Sequence, residues 1–396
     1  MKILIKNGNV VTPNKILENH YVAFSDGVIT EIDTMASLPN ENFDTIYDAE
    51  YNYISPGFIE IHSHGAGGSD FMDGTVDAII NASKTHMQYG TTTIYPTTLA
   101  STKIDLTNTF KNFKLAKEQI TDGPNIPGLH LEGPYFALEH KGAQDPQHIK
   151  DPEEKEYREI VALADGLIKR WSFAPERKGS LEFIKYLNSK NIISSIAHSN
   201  ATFDEVAQAH DAGVNLITHF YSCMSTVRRI KAYRVGGVIE AGYYFDDMYV
   251  EVIADGKHLP AELLKLIYKI KGPDRICLVT DSMRAAGQDV KTTILGNIKT
   301  GMEVIVDDGV AKLKDKSAFA GSVATANRLV RTMIQLADVP ILDAVNMITK
   351  TPATIMNIYK NKGSIEIGKD ADIVIFDDNI NIKKVFIGGK QTWNYS

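Results

Sequence analysis

The chain of 396 residues is too long for one small domain and long enough for a barrel of ~250 residues plus a second unit. Its 43% hydrophobic and 23% charged residues are ordinary for a folded globular protein, and no run of about 18 apolar residues indicates a membrane span. Because the net charge of −7 argues against a general nucleic-acid surface, we expect neither a nucleic-acid nor a membrane partner.

Both ends of the chain consist of short alternating stretches that predict β-strands. The N-terminal part contains KILIKNGNVVT and HYVAFSDGVITEI, with a hairpin turn expected at Ser25-Asp26-Gly27. The C-terminal part contains GSIEIGKDADIVIFDD and KKVFIGGK. Since neither end can bury a core alone, we predict that residues 1–55 and 355–396 form one small β-sandwich domain, with residues 56–354 inserted as a second domain.

The first residues and the cysteines give expectations about location. MKILIKNGNVV lacks a signal-peptide pattern. The two cysteines, Cys223 and Cys277, imply no disulfide framework. We therefore expect a cytoplasmic protein.

In the middle of the chain, strand-like segments alternate with amphipathic segments. The candidate strands end near His64, Thr98, Gly133, Pro175, Ser199, Phe220, Asp255 and Asp281. Helices are predicted at 75–89, 105–120, 179–189, 203–212, 260–271, 323–337 and 341–350. This alternation over about 300 residues predicts an α/β fold, a TIM-like (β/α)₈ barrel, in which chemistry lies at the carboxyl ends of the strands.

The stretch FIEIHSHGAGGSD places two histidines at the end of the first candidate barrel strand. Residues two apart in a strand point to the same face, so His62 and His64 are expected to project side by side. The glycines that follow leave space around the imidazoles. The arrangement suits a metal ion, and it equally suits a pair of polar residues at a strand end.

Further side chains of the kind that bind metals follow other strands. Glu132 ends the third strand in GLHLEGPY, His198 the fifth in IISSIAHSN, His219 the sixth in NLITHFYS, and Asp281 the eighth in RICLVTDSM. Each of them alone could be a hydrogen-bonding residue at a strand end. Because the carboxyl ends of barrel strands meet at one mouth, the set together predicts a metal centre.

With their flanking residues, these motifs resemble the N-acetylglucosamine-6-phosphate deacetylases of the amidohydrolase superfamily over nearly the full chain. The matching stretches are PGFIEIHSHGAGG, HLEGPY, KGAQDP, AHSNAT, THFYSCMS, IADGKH, VTDSMRAAG, FAGS and KGSIEIGKDADIVIF. The resemblance implies removal of the N-acetyl group from N-acetylglucosamine-6-phosphate to give glucosamine-6-phosphate and acetate, in amino-sugar catabolism and recycling. The barrel pattern alone implies only a metal-dependent hydrolase.

The resemblance also implies a divalent metal, one or two ions per subunit, with zinc the first choice and iron the alternative. Glu132 is expected to bridge the ions, and Asp281 is the expected catalytic residue, taking a proton from water and delivering it to the sugar nitrogen. The expected ligands are His62, His64 and Asp281 for one ion, and His198 and His219 for the other.

Substrate-binding residues follow from the same resemblance: Ala143, Gln144, Ser222, Cys223, Arg234 and His258. Gln144 stands where some relatives carry His, and it is expected to help stabilise the oxyanion although it cannot act as an acid. Ser222 and Cys223 replace the family's usual Asn-Ala, so the amide fork of Asn is lost. Arg234 is expected to reach the active site of a neighbouring subunit, which implies a homodimer that binds a phosphorylated amino sugar.

Alternative functions stay open at this point. The substrate could be N-acetylgalactosamine-6-phosphate, or the chain could be another amidohydrolase acting on a small amide, or a non-catalytic binding protein on the same fold. The fourth strand ends in WSFAPE, without the lysine that bridges the metals of some amidohydrolases. Of the remaining histidines, His130 is expected inside the barrel, and the surface is the expected place of His20, His86, His140, His148 and His210.

Overall fold

The computed structural model describes residues 1–40 and 42–395. Its centre is a nearly closed barrel of eight parallel strands, in which each strand pairs with the next one along the chain. In the first strand all residues are buried, as expected for a parallel strand that is covered on both faces. The eight strands are Phe58–Ser63, Thr91–Thr98, Leu129–Glu132, Ile168–Phe173, Ile193–Ile196, Leu216–Ile217, Tyr249–Val252 and Ile276–Leu278.

The first and the eighth strands meet just beyond their ends. The backbone N–H of Asp281 donates to the carbonyl of His62 at 2.9 Å, and Ser63 and Ser282 form a parallel bridge. The carboxyl ends of all eight strands therefore surround one mouth. The predicted α/β fold with a (β/α)₈ barrel is confirmed.

Helices connect the strands, and threonines cap several of them. The side chains of Thr75 and Thr102 accept hydrogen bonds from backbone N–H groups in the first turn, and Thr202 forms a complete capping box with Glu205. The sequence pattern predicted most helices but not Glu154–Ala164, Val238–Tyr244 or Lys350–Ile355. The helices are Val76–Gln88, Lys103–Gln119, Glu154–Ala164, Ser180–Ser189, Phe203–Asp211, Val238–Tyr244, Ala261–Lys271, Ala326–Ala337, Ile341–Asn346 and Lys350–Ile355.

Strands from both chain ends come together, as predicted, and they pair in one further sheet. Ser25 pairs with Val28 across the expected hairpin turn, where Asp26 and Gly27 have φ angles of 50° and 82°. The domain boundaries at residues 55 and 355 stay predictions. In sheet order the strands are Lys390–Asn394, Ile382–Ile387, Ile373–Phe376, Tyr53–Pro56, Lys2–Val11, Ile16–Ser25 and Val28–Thr34, and Thr45–Asp48 pairs with Lys2–Val11.

Small sheets are inserted after the sixth and the eighth barrel strands. A short hairpin, Arg228–Ile230 with Tyr233–Val235, follows the sixth strand. A three-stranded sheet follows the eighth strand and consists of Thr292–Leu295, Met302–Asp307 and Val310–Leu313. In the part of the chain that the structure describes, no helix is both long and apolar enough to cross a membrane.

A buried ion pair lies inside the barrel below the mouth. The guanidinium of Arg170 contacts the carboxylate of Glu251, and both side chains are fully buried. Arg170 also donates to the hydroxyls of Ser195 at 3.0 Å and Thr218 at 2.7 Å. Although burial raises the pKa of Glu251, the neighbouring Arg170 and His62 together lower it below its usual value. Neither residue was among those predicted from the sequence.

His86 is buried, so its predicted surface position is wrong. It lies in the last turn of Val76–Gln88, on the face that packs against the barrel, and its Nε2 atom is 2.8 Å from the hydroxyl of Ser63 and 3.4 Å from that of Ser282. Burial lowers the pKa of His86 from 6.5 to about 4. Neutral His86 thus connects the two strand ends that close the barrel.

Removing the charge of Glu251 should strongly destabilise the fold. In Glu251→Gln, Arg170 stays buried without its anion, and loss of one partner of a buried pair lowers the free energy of unfolding by about 3–5 kcal/mol. Urea unfolding of the metal-free protein measures this loss. The double variant Arg170→Met/Glu251→Gln should recover part of it, and a loss below about 1 kcal/mol in the single variant would contradict the assignment.

His86 should make stability fall as the pH decreases. At pH 7.5 the ring is neutral in both states, whereas at pH 5 the unfolded chain binds a proton that folded His86, with its pKa of about 4, does not. Between pH 7.5 and pH 5, the free energy of unfolding of wild type should therefore fall by about 2 kcal/mol more than that of His86→Gln. Urea unfolding of both proteins at both pH values gives the comparison, and a constant difference between them would show that His86 does not contribute.

Candidate active site

The Glu132 carboxylate lies at the centre of four imidazoles. Its Oε1 atom is 3.4 Å from Nε2 of His62, 3.4 Å from Nε2 of His198 and 3.1 Å from Nε2 of His219. Its Oε2 atom is 3.4 Å from Nε2 of His64. One buried side chain from the third strand thus contacts histidines at the carboxyl ends of the first, fifth and sixth strands.

Asp281 approaches the same cluster from the eighth strand. Its Oδ1 atom is 3.1 Å from Nε2 of His64 and 3.4 Å from Nε2 of His62. Asp281, His198 and His219 have φ angles of 44°, 46° and 31°, a left-handed conformation that is rare for residues other than glycine and common at functional sites. The chain therefore turns sharply at these three positions, just where their side chains enter the mouth.

Two groups in this cluster have the composition and spacing to hold a metal ion. The groups are His62, His64 and Glu132, and Glu132, His198 and His219, with the ligand atoms of each group within 4.8 Å of one another. Imidazole nitrogen and carboxylate oxygen are the donors that ions such as Zn²⁺ accept. Glu132 belongs to both groups, as a bridging ligand would.

Hydrogen bonds to the far side of the rings fix which nitrogen faces the cluster. Nδ1 of His62 is 3.1 Å from the Glu251 carboxylate, and Nδ1 of His198 is 2.8 Å from the carbonyl of His140. These nitrogens act as donors, so each Nε2 atom faces the mouth, where it binds a proton or, in its place, a cation. The buried Nε2 atom of His62 has no hydrogen-bond partner among the described residues, and it fits a cation as its partner.

The charges of the cluster also favour a cation. Burial by itself raises the pKa of Glu132, but His62 and the other imidazoles lower it well below its usual value. Burial by itself lowers the pKa of His62, but Asp281 and Glu132 together raise it to about 10. The two carboxylates thus attract positive charge to the point where the imidazoles converge.

A cavity of about 330 Å³ opens onto this cluster. His258 lies in its wall, with Nδ1 2.9 Å from Oδ2 of Asp255 and its ring 4.6 Å from that of Phe319. Leu99, Tyr221 and Phe319 also line the cavity, although they were not predicted from the sequence. The predicted substrate-binding residues in the lining are Ala143, Gln144, Ser222, Cys223 and His258.

Arg234 is the predicted substrate-binding residue that the cavity lining does not include. It is exposed on the short hairpin after the sixth strand, where it pairs in register with Arg229. Arg228 of the same hairpin donates to the side chain and the carbonyl of Asn200 at 2.8 and 2.9 Å. The hairpin is therefore attached to the loop that carries His198, while Arg234 is exposed on its second strand.

Glu251 and Arg170 are the main supporting residues that sequence reasoning missed. Both are charged residues inside short barrel strands, Glu251 in YVEV and Arg170 in IKRWSF. Lys169, next to Arg170 in the same strand, is exposed, whereas Arg170 is buried. A charged residue on the barrel-facing side of a parallel strand was the available signal, because such a charge requires a partner inside the barrel.

Comparisons with known proteins agree with this geometry. The chain matches the model of the amidohydrolase family over residues 53–392. It is 32% identical over 384 residues to N-acetylglucosamine-6-phosphate deacetylase of Bacillus subtilis (strain 168), covering 96% of this chain and 94% of that one. It is 28% identical over 391 residues to N-acetylgalactosamine-6-phosphate deacetylase of Escherichia coli O157:H7, covering 98% and 99%.

A solved structure is similar over the whole chain. It is a mutant N-acetyl-D-glucosamine-6-phosphate deacetylase from Mycobacterium smegmatis in complex with N-acetyl-D-glucosamine-6-phosphate. The TM-score is 0.88 at 25% identity, and the match covers 99% of both chains. The similarity includes the barrel and the sheet from the chain ends alike. The chain therefore belongs to the amidohydrolase family, and the resemblance to its N-acetylglucosamine-6-phosphate deacetylases is confirmed.

Proposed function

We propose that the protein removes the N-acetyl group from N-acetylglucosamine-6-phosphate, giving glucosamine-6-phosphate and acetate in amino-sugar catabolism and recycling. The observation that carries this proposal is the contact of Glu132 with four imidazoles, beside Asp281, at the mouth of a barrel. It is supported by similarity over 96% of the chain to an enzyme of that name.

The proposed cofactor is zinc, with iron as the alternative that the same donors accept. Glu132 would bridge two ions, with the His62–His64 pair and Asp281 holding one of them. His198 and His219 would hold the other. A bound divalent ion lowers the pKa of water toward ~7 and polarises a carbonyl, which are the two requirements for hydrolysing an amide at neutral pH.

Asp281 is the proposed catalytic residue. Its Oδ1 atom lies 3.1 Å from Nε2 of His64, at the edge of the cluster and in the cavity wall, where it can reach both water and substrate. The carboxylate accepts the proton that water loses as its oxygen attacks the acetyl carbonyl. It then gives this proton to the sugar nitrogen as the C–N bond breaks, so that acetate and a free amine leave.

Arg234, His258 and Ser222 are the proposed contacts for the phosphorylated sugar. His258 and Ser222 belong to the cavity lining, while the exposed Arg234 is free to act on the cavity of a second subunit in a homodimer. We further propose a cytoplasmic location, which both free cysteines, Cys223 and Cys277, suit.

N-acetylgalactosamine-6-phosphate is the alternative substrate. Ser222 offers a single hydroxyl where an Asn would offer an amide fork, so the contact that would distinguish the sugars differs from the family's usual one. The relative from Escherichia coli O157:H7 carries the name of the galactosamine enzyme.

One assay tests the function directly. Acetate release is measured from N-acetylglucosamine and N-acetylgalactosamine, each with and without the 6-phosphate, for metal-free protein and for protein loaded with zinc or iron. The proposal expects turnover with the phosphorylated sugars after metal loading, and the ratio of kcat/KM values decides between the two epimers. No acetate from either phosphorylated sugar, under any metal, would overturn it.

Asp281→Asn should bind the substrate but turn it over very slowly. The amide has nearly the shape of the carboxylate but cannot accept a proton, and general acid–base catalysis contributes ~10²–10⁴-fold. Acetate release gives kcat, and calorimetric titration with the phosphorylated sugar confirms that binding remains. Turnover close to that of wild type would assign the proton transfer to another residue.

Arg234→Ala should weaken binding of the phosphorylated substrate much more than binding of the unphosphorylated sugar. A guanidinium–phosphate hydrogen bond contributes about 1.5–3 kcal/mol to binding. Its loss should raise KM more than it lowers kcat, because the phosphate lies away from the reacting amide. Equal effects on both sugars would exclude a phosphate contact.

Mixing two impaired variants tests whether Arg234 acts across subunits. In a heterodimer of Arg234→Ala with Asp281→Asn, one of the two sites contains both wild-type residues, so kcat/KM for the phosphorylated sugar should rise above the average of the two unmixed variants. If subunits exchange and kcat/KM does not rise, Arg234 does not act on the partner's site.

A further inference from the structure

Gln144 lies in the wall between the active-site cavity and a neighbouring cavity of about 270 Å³. Its side chain is 4% exposed, and both ends of its amide are engaged. The Oε1 atom accepts a hydrogen bond from the backbone N–H of Ala100 at 2.9 Å, and the Nε2 atom donates to Oε2 of Glu132 at 2.7 Å. Gln144 is thus fixed at one end to the loop after the second barrel strand and at the other to the central carboxylate.

The partners leave only one orientation of the amide. The backbone N–H of Ala100 can only donate, so the oxygen of Gln144 must face it. The NH₂ group then faces Glu132, whose ionised carboxylate can only accept. The assignment of oxygen and nitrogen in this side chain therefore follows from chemistry, although amide orientations are often ambiguous.

We propose that Gln144 is a positioning residue that sets the rotation of the Glu132 carboxylate for metal binding. This inference rests on the proposed function, because it assumes that Glu132 is a metal ligand. The carboxylate torsion of a glutamate has broad minima, so the plane of the group needs an external contact to be fixed. The donor from Gln144 holds Oε2 on the side of His64, which leaves Oε1 facing the other three imidazoles.

The Gln144 amide is neutral, so it can orient the Glu132 carboxylate without reducing the attraction of the site for a cation. Hydrogen bonds to an ionised acceptor are short and strong, so Gln144 holds the carboxylate firmly without adding charge. Glu132 and Asp281 both keep their negative charge for the cation. This role differs from direct stabilisation of the oxyanion, because it predicts an effect on metal affinity in the absence of substrate.

The test is zinc affinity of the metal-free protein, measured by competition with a chromophoric chelator. Gln144→Met keeps the length of the side chain and removes both hydrogen bonds, and it should weaken zinc binding ~10–100-fold, the range typical for residues that orient ligands. Gln144→His keeps an N–H donor and should retain most of the affinity. The control is Asn297→Leu, which removes an amide that also lines the neighbouring cavity but donates to the carbonyl of Met72.

The outcomes separate the inference from the proposed function. Wild-type affinity in Gln144→Met, even with reduced turnover, would overturn the positioning role, as would an equal loss in Asn297→Leu. No zinc or iron binding by wild type would overturn the proposed metal site itself and the inference with it. If Gln144→Met does not fold, Gln144→Asn gives the same comparison, because its amide is one methylene short of spanning both partners.

Discussion

The carboxylate of Glu132 contacts four buried imidazoles at once, and the positions of the other site residues depend on these contacts. The side chain is 2% exposed and belongs to the last residue of the short strand Leu129–Glu132, so it has little freedom to move. Its two oxygens lie 3.1–3.4 Å from the four Nε2 atoms. A group of this kind is stable only when positive charge lies between its members, because buried ionised groups need partners. A divalent cation bound by the imidazole nitrogens would meet this requirement, and it would supply the charge that amide hydrolysis needs.

Residues behind the cluster hold its members from several sides. Glu251, held by Arg170, accepts from Nδ1 of His62 and also from the backbone N–H of His219 at 3.2 Å. His86 connects the residues that follow His62 and Asp281. Networks of buried polar groups stabilise a structure when every member is satisfied, and they destabilise it when one member is removed. Rigidity at the mouth and vulnerability to single substitutions therefore have the same origin.

The sequence predicted the barrel, the terminal sheet and the six converging residues for identifiable reasons. Parallel strands give buried apolar runs, and the residue after each run lies at the mouth, so His198, His219 and Asp281 could be located by counting. His86 was placed wrongly because a histidine in an amphipathic helix fits either face, and its partner Ser63 is 23 residues earlier in the chain. Arg170 and Glu251 were missed for the same reason, since they are 81 residues apart and only the closed barrel brings them together. The short helix Val238–Tyr244 has only seven residues and a glycine, too few for its periodicity to be recognised.

Anomalous diffraction from crystals of the zinc-loaded protein tests the central claim most directly. The account predicts zinc within ~2.0–2.2 Å of a Glu132 oxygen, held by His198 and His219 on one side and, where a second ion binds, by His62, His64 and Asp281 on the other. Zinc that binds at the mouth without contacting Glu132, or no zinc at the mouth at all, would contradict it.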